Sequence, residues 1–158
     1  MTAVQIPDAL AEQLNAEKKH LRALDPQSFE YSANLRVLRT ADIRNLFQYA
    51  GQAQIVLGLE PQIIFSVKEG LSPKNYTLFQ ENGGKASTGG YSDKLVGGFI
   101  DQPDVFVGGC LSFEARLVAK GDVLLNVFTN KGVLVGSFYG KRLTLASECA
   151  SRGQFNID

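Results

Sequence analysis

Nucleophilic and metal chemistry lean on histidine and cysteine, and this chain holds one histidine, His20, and two cysteines, Cys110 and Cys149. A zinc site takes four Cys, His or carboxylate ligands, commonly in close pairs such as CxxC or HxxxH, and no such pair occurs. A Cys–His or Ser–His apparatus would have to recruit His20 as its base. His20 stands among charges in AEKKHLRAL, the setting of a solvated helix face. No residue is assigned a catalytic or metal-ligating role on these grounds, and no cofactor is expected.

Other fragments offer weaker chemistry. Gly83-Gly84-Lys85-Ala86-Ser87-Thr88 has the look of a phosphate-binding loop, but Ala86 stands where Ser or Thr must follow the lysine, and Phe79 where the earlier glycine is needed. Asp101 and Asp104 bracket Pro103; two carboxylates suit acid–base work or a cation, but a turn capped by its own Asp side chains explains them as well. Phe138, Tyr139, Lys141 and Arg142 interleave aromatic and cationic side chains at a hairpin end. With Phe128 and Lys131 they would make a stacking platform for single-stranded nucleic acid on a small barrel. Glu114 and Arg116 share the polar face of one strand, and with Asp101 and Tyr139 they are the polar groups a sheet-lined ligand cavity would use.

These residues need elements to hold them. Residues 7–24 are expected as a helix, with Pro7 and Asp8 suited to its start and Asp25-Pro26 ending it. Leu10, Leu14, Leu21 and Leu24 form a narrow apolar stripe, interrupted by Glu17. That stripe fits a half-buried surface helix or one docked on a neighbouring subunit. SANLRVLRT is read as a strand, and a second helix over about 41–50 would bury Ile43, Leu46, Phe47 and Ala50. Short apolar runs at 54–57, 63–68 and 75–80 are strands. Residues 81–94, with two Gly-Gly pairs, form a long loop of a size that often carries function. The Gly pairs at 97–98 and 108–109 are read as shaping β-corners.

The clearest grammar lies in 110–146. Alternating runs at 111–117, 123–129, 133–139 and 142–146, separated by Gly-containing turns, specify an antiparallel meander. Val123, Leu125 and Val127 form one face of the second run; Leu124, Asn126 and Phe128 form the other. In the third run, Val133 and Val135 oppose Leu134, Gly136 and Phe138. A sheet apolar on both faces is covered twice, by the domain's core on one side and by helices, a second sheet or another copy on the other.

At 158 residues the chain fits one domain with a self-sufficient core. The expected fold is α+β, with N-terminal helices (1–51) packed on a predominantly antiparallel sheet, sandwich or small barrel (52–147), and a C-terminal tail (148–158). Sixteen basic residues balance sixteen acidic ones, which removes the default electrostatic argument for nucleic acid or an anionic membrane. No run approaches the roughly 18 apolar residues that span a bilayer. The N-terminus lacks the basic and apolar regions of a secretory signal, so a cytoplasmic protein with reduced thiols is expected.

These features rank three functional expectations. First stands a non-enzymatic structural or assembly protein, such as a subunit of a phage-like or other symmetric particle formed in the cytoplasm, acting by self-association or on another protein. Its interaction candidates are Leu10, Leu14, Leu21, Leu24, Phe128, Phe138, Tyr139, Lys141 and Arg142. Second is a single-stranded nucleic-acid-binding barrel. Third is a small-ligand binder or enzyme with a sheet-lined cavity.

Overall fold

The computed structural model describes residues 6–28, 34–40, 43–57, 61–69, 72–80, 90–118, 121–145 and 148–158. Helix α1 runs Asp8–Arg22, with Asp8 in its first turn and Lys19, His20 and Arg22 in its last, each sign matched to the helix dipole. Leu10 and Leu14 are buried, and Lys18 extends their stripe. Its aliphatic stem lies along the apolar face while Nζ donates to the Thr40 carbonyl. A short α2, Leu35–Arg39, follows. This corrects the strand expected there: Val37 and Leu38 are adjacent and both buried, as a turn of helix wedged between two surfaces allows.

The helix expected over 41–50 is also corrected, since residues 43–46 form a single 3-10 turn and the chain then enters the sheet. Ile43, Leu46 and Phe47 are buried as anticipated. Ala50 belongs to strand β1, Tyr49–Leu57, because the Gln48 amide donates to the Phe99 carbonyl and draws the chain into pairing.

The remaining strands are β2 (Gln62–Glu69), β3 (Ser72–Gln80), β4 (Gly90–Tyr91), β5 (Leu95–Phe99), β6 (Cys110–Val118), β7 (Asp122–Thr129), β8 (Leu134–Lys141) and β9 (Cys149–Ile157). All pair antiparallel, in the order β2-β3-β9-β6-β7-β8-β5-β1, and β1 returns to β2. The sheet thus closes into an eight-stranded barrel, with β4 added beside β1. The fold is α+β and mostly β; of sandwich and barrel, the barrel is found. The P-loop-like fragment and most of the 81–94 loop lie outside the described residues.

Strands β6, β7 and β8 are the expected meander, with two changes. The fourth run, read at 142–146, is not a strand over its described residues 142–145: Leu143 sits at φ 48° and turns the chain away. The strand beside β6 is instead β9, within the segment read as a tail. An irregularity at Val127/Phe128 shifts the β7–β8 register. Leu134 therefore faces outward, whereas Val135 and Phe138 both face inward, where strict alternation would put Leu134 and Phe138 together.

Side chains fill the barrel interior, as eight strands allow. Phe65 meets Phe99 and Phe138 with ring centroids 5.3 and 5.5 Å apart, and Tyr76 stacks on Phe155 at 5.1 Å. A 3-10 turn over Pro103–Phe106 closes one end. There the Tyr76 hydroxyl donates to Asp104 Oδ1 at 2.6 Å. A second apolar cluster lies outside the barrel, where Leu10, Leu14, Val37, Ile43 and Phe47 pack on Leu124 and Leu134. The meander's second apolar face is thus covered by the chain's own N-terminal segment. Among the described residues, no helix is long and apolar enough to cross a membrane.

Candidate functional site

With the interior occupied, a small molecule would have to bind on the outside of the barrel. A cavity of about 250 Å³ lies where α1 crosses the meander. Leu14, Glu17, His20 and Leu21 line it from α1, and Asn34 and Val37 from the start and body of α2. Glu114 and Arg116 come from β6, Asn126 and Phe128 from β7, and Gly132 and Leu134 from the turn into β8. Period two sets the floor: inward Phe113 and Ala115 alternate with outward Glu114 and Arg116.

The polar groups are wired together. Glu17, the residue that interrupts the leucine stripe, pairs with Arg116. Asn126 is 3% exposed, and buried amides need partners. Its Oδ1 accepts the Ser137 hydroxyl at 2.6 Å, and its Nδ2 donates to Glu114 Oε1 at 3.1 Å. Ser137, Asn126 and Glu114 form a chain from beneath the helix to the cavity. Asn34 Oδ1 accepts the Leu134 amide at 3.4 Å and ties the α2 side to the sheet. Two carboxylates, an imidazole and a guanidinium line the space beside apolar surface; among the described lining residues there is no hydroxyl or thiol. Such a set can grip a polar head and bury an apolar body.

The expected interaction residues are dispersed. Leu10 and Leu14 are buried in the outer cluster, Leu21 is half-buried beside it, and Leu24 is half-buried just beyond α1. Phe128 lines the cavity, while Phe138 lies wholly inside the barrel. Tyr139 faces outward, its hydroxyl donating to Asp122 Oδ2 at 2.7 Å, and Lys141 pairs with the same carboxylate at 2.6 Å. Burial, reinforced by Asp122, pushes the Tyr139 phenol up to about 12. Arg142 is half-buried after β8, its amide donating to Gly121. The aromatic–cationic cluster at 138–142 is therefore split between the interior and an ion-paired edge.

Of the four residues considered for a ligand cavity, Glu114 and Arg116 line this one. Asp101 holds Arg36 in a two-bonded fork at 3.0 and 2.7 Å. Asp104 accepts from Lys74 and Tyr76, which hold its carboxyl below the usual range. Cys149, opposite Ala115 in the ladder, is half-buried, and burial raises its thiol. Cys110 is exposed five residues away along β6, a separation of about 17 Å at strand spacing that no disulfide bridges. Sequence reasoning left out Glu17, Asn126 and Asn34; a charged residue breaking an apolar helix stripe, and an Asn on an apolar strand face, were the signals. Compared with protein-family models and with curated proteins, the chain matches none.

Proposed function

We propose that this protein binds a small molecule in the cavity between α1 and the outer face of the meander. The observation that carries the proposal is the cavity itself: charged and apolar side chains from α1, α2, β6, β7 and β8 meet around one space, while aromatic and aliphatic groups occupy the barrel interior. Pockets that bind small ligands commonly combine apolar walls with a few placed polar groups. A fragment library screened by amide NMR tests the reading. Hits should shift the signals of Asn34, Phe128 and Gly132 together. Hits that leave these three unmoved, or no hits, would refute it.

The assembly reading rested first on the meander's second apolar face, which the chain now covers itself. What supports it instead is the barrel wall away from the helices, where Ile64, Phe79, Tyr91 and Val96 are exposed. Light scattering behind a sizing column tests this reading. A multimer dispersed by Ile64→Lys and Phe79→Lys would favour it, and a monomer at every concentration would end it.

A further inference from the structure

Resting on that small-molecule reading, we infer that the ligand is an organic cation: a primary amine carried on a compact apolar body. The charges around the cavity do not cancel. Glu17 and Arg116 satisfy each other as an ion pair. Glu114 has one hydrogen bond among the described residues, from the neutral Asn126 amide to Oε1. Its Oε2 has no described donor, and the residue is half-buried and shares the cavity lining with Phe128 and Leu134. A carboxylate so placed gains most from a partner carrying charge, because charge-assisted hydrogen bonds are roughly twice as strong as neutral ones.

The same arrangement disfavours an anion. Of the described lining residues that can carry positive charge, His20 is exposed at the end of α1 and Arg116 is already paired, so an anion would have to displace Glu17 while approaching Glu114. A neutral donor would leave the charge of Glu114 uncompensated. The apolar side chains specify the rest of the ligand. Leu14, Leu21 and Phe128 offer contact to a hydrocarbon body, and a ring face within about 6 Å of an ammonium adds attraction. At about 250 Å³ the space falls just below the roughly 300 Å³ at which drug-sized pockets begin, so the body must be small.

Asn126 is the positioning residue. Pinned beneath the helix by Ser137, it holds Glu114 Oε1 and so fixes the carboxylate in the cavity lining. Glu114→Gln keeps an oxygen to accept the Asn126 amide and removes only the charge, so it separates recognition from folding.

The test is calorimetric titration of the full chain with matched primary amines, alcohols and carboxylates on propyl, cyclohexylmethyl and 2-phenylethyl bodies. At least one amine should bind about tenfold more tightly than its alcohol, the ratio that replacing a neutral by a charge-assisted hydrogen bond gives. That preference should vanish in Glu114→Gln and persist in Ser112→Ala, a substitution on the same strand outside the cavity lining. Thermal melting of both variants checks that they fold. If every amine binds no better than its alcohol or carboxylate, or binds with equal preference in Glu114→Gln, the cation inference falls. The small-molecule reading then stands or falls by the fragment screen alone: fragments shifting Asn34, Phe128 and Gly132 preserve it, and their absence removes both.

Discussion

Asn126 occupies a position where a strand residue beneath a helix is ordinarily apolar, and its cost is offset only because both ends of its amide are used. Replacing it with alanine leaves the buried Ser137 hydroxyl without its acceptor and Glu114 without its donor. An unsatisfied buried group costs about 1–3 kcal/mol, and of the two only Ser137 is fully buried, so Asn126→Ala should destabilise the fold by about 1–3 kcal/mol in urea unfolding, far more than the exposed Gln154→Ala. Tyr139 makes a prediction about pH. Its phenol titrates near 12 in the folded chain and near 10 when unfolded, so the unfolded chain loses the proton first. The stability this contributes is complete below pH 10 and is lost as pH rises from about 10 to 12. Tyr139→Phe should therefore show a shallower decline of stability with pH over that window. Equal slopes in the two proteins would mean that the phenol titrates alike in both states.

At the scale of elements, the β5–β8 seam depends on a close approach. A Cβ at Gly97 would lie 2.0 Å from the Ser137 carbonyl oxygen and 2.8 Å from the Phe138 Cα, both backbone atoms that cannot swing aside. Gly97→Ala should cost about 3 kcal/mol or more, at the upper end for overpacking, while Gly109→Ala, whose nearest neighbour is 3.6 Å away, should change stability by about 0.5 kcal/mol or less. Thermal melting of the two variants reads the contrast directly. Legibility in the sequence followed the same local logic. The alternation in β6 and β7 and the glycine turns were readable because the inward residues there are all apolar and, Ala115 apart, large. In β9 the inward positions are Cys149, Ser151, Gly153 and Phe155, three of them small, so the period-two signal was absent and the strand passed for a tail. Ile43, Leu46, Phe47 and Ala50 have helical spacing although only a 3-10 turn forms. The parts of the cavity were visible separately, as Glu114 and Arg116 on one strand face and Glu17 breaking a stripe. Their convergence depends on the angle at which α1 crosses β6, which no local pattern encodes.

At the scale of the molecule, the barrel and its helical cover are bound into the fold by different means, and removing either should fail differently. Strand β9 lies between β3 and β6, so the ring closes only when the last nine residues of the sheet are added. A chain ending at residue 148 would leave two unpaired strand edges, expose the Phe65–Phe99–Phe138 cluster where Phe155 meets it, and open the interior to water. Unpaired edges also template association. That truncation should lose its cooperative unfolding transition, bind a hydrophobic dye and aggregate. Removing residues 1–28 leaves every strand pair of the barrel in place and uncovers only one wall, chiefly Leu124, Leu134 and Phe128. This shorter chain should still melt cooperatively, at a lower temperature, and should bind none of the fragments that occupy the cavity, because Leu14, Glu17 and Leu21 leave with α1. Arg116 would lose its partner while Glu114 kept the Asn126 amide. If the order is reversed, with the C-terminal truncation cooperative and the N-terminal one unfolded, then α1 organises the sheet and the barrel is not the independent unit that its closed ladder implies.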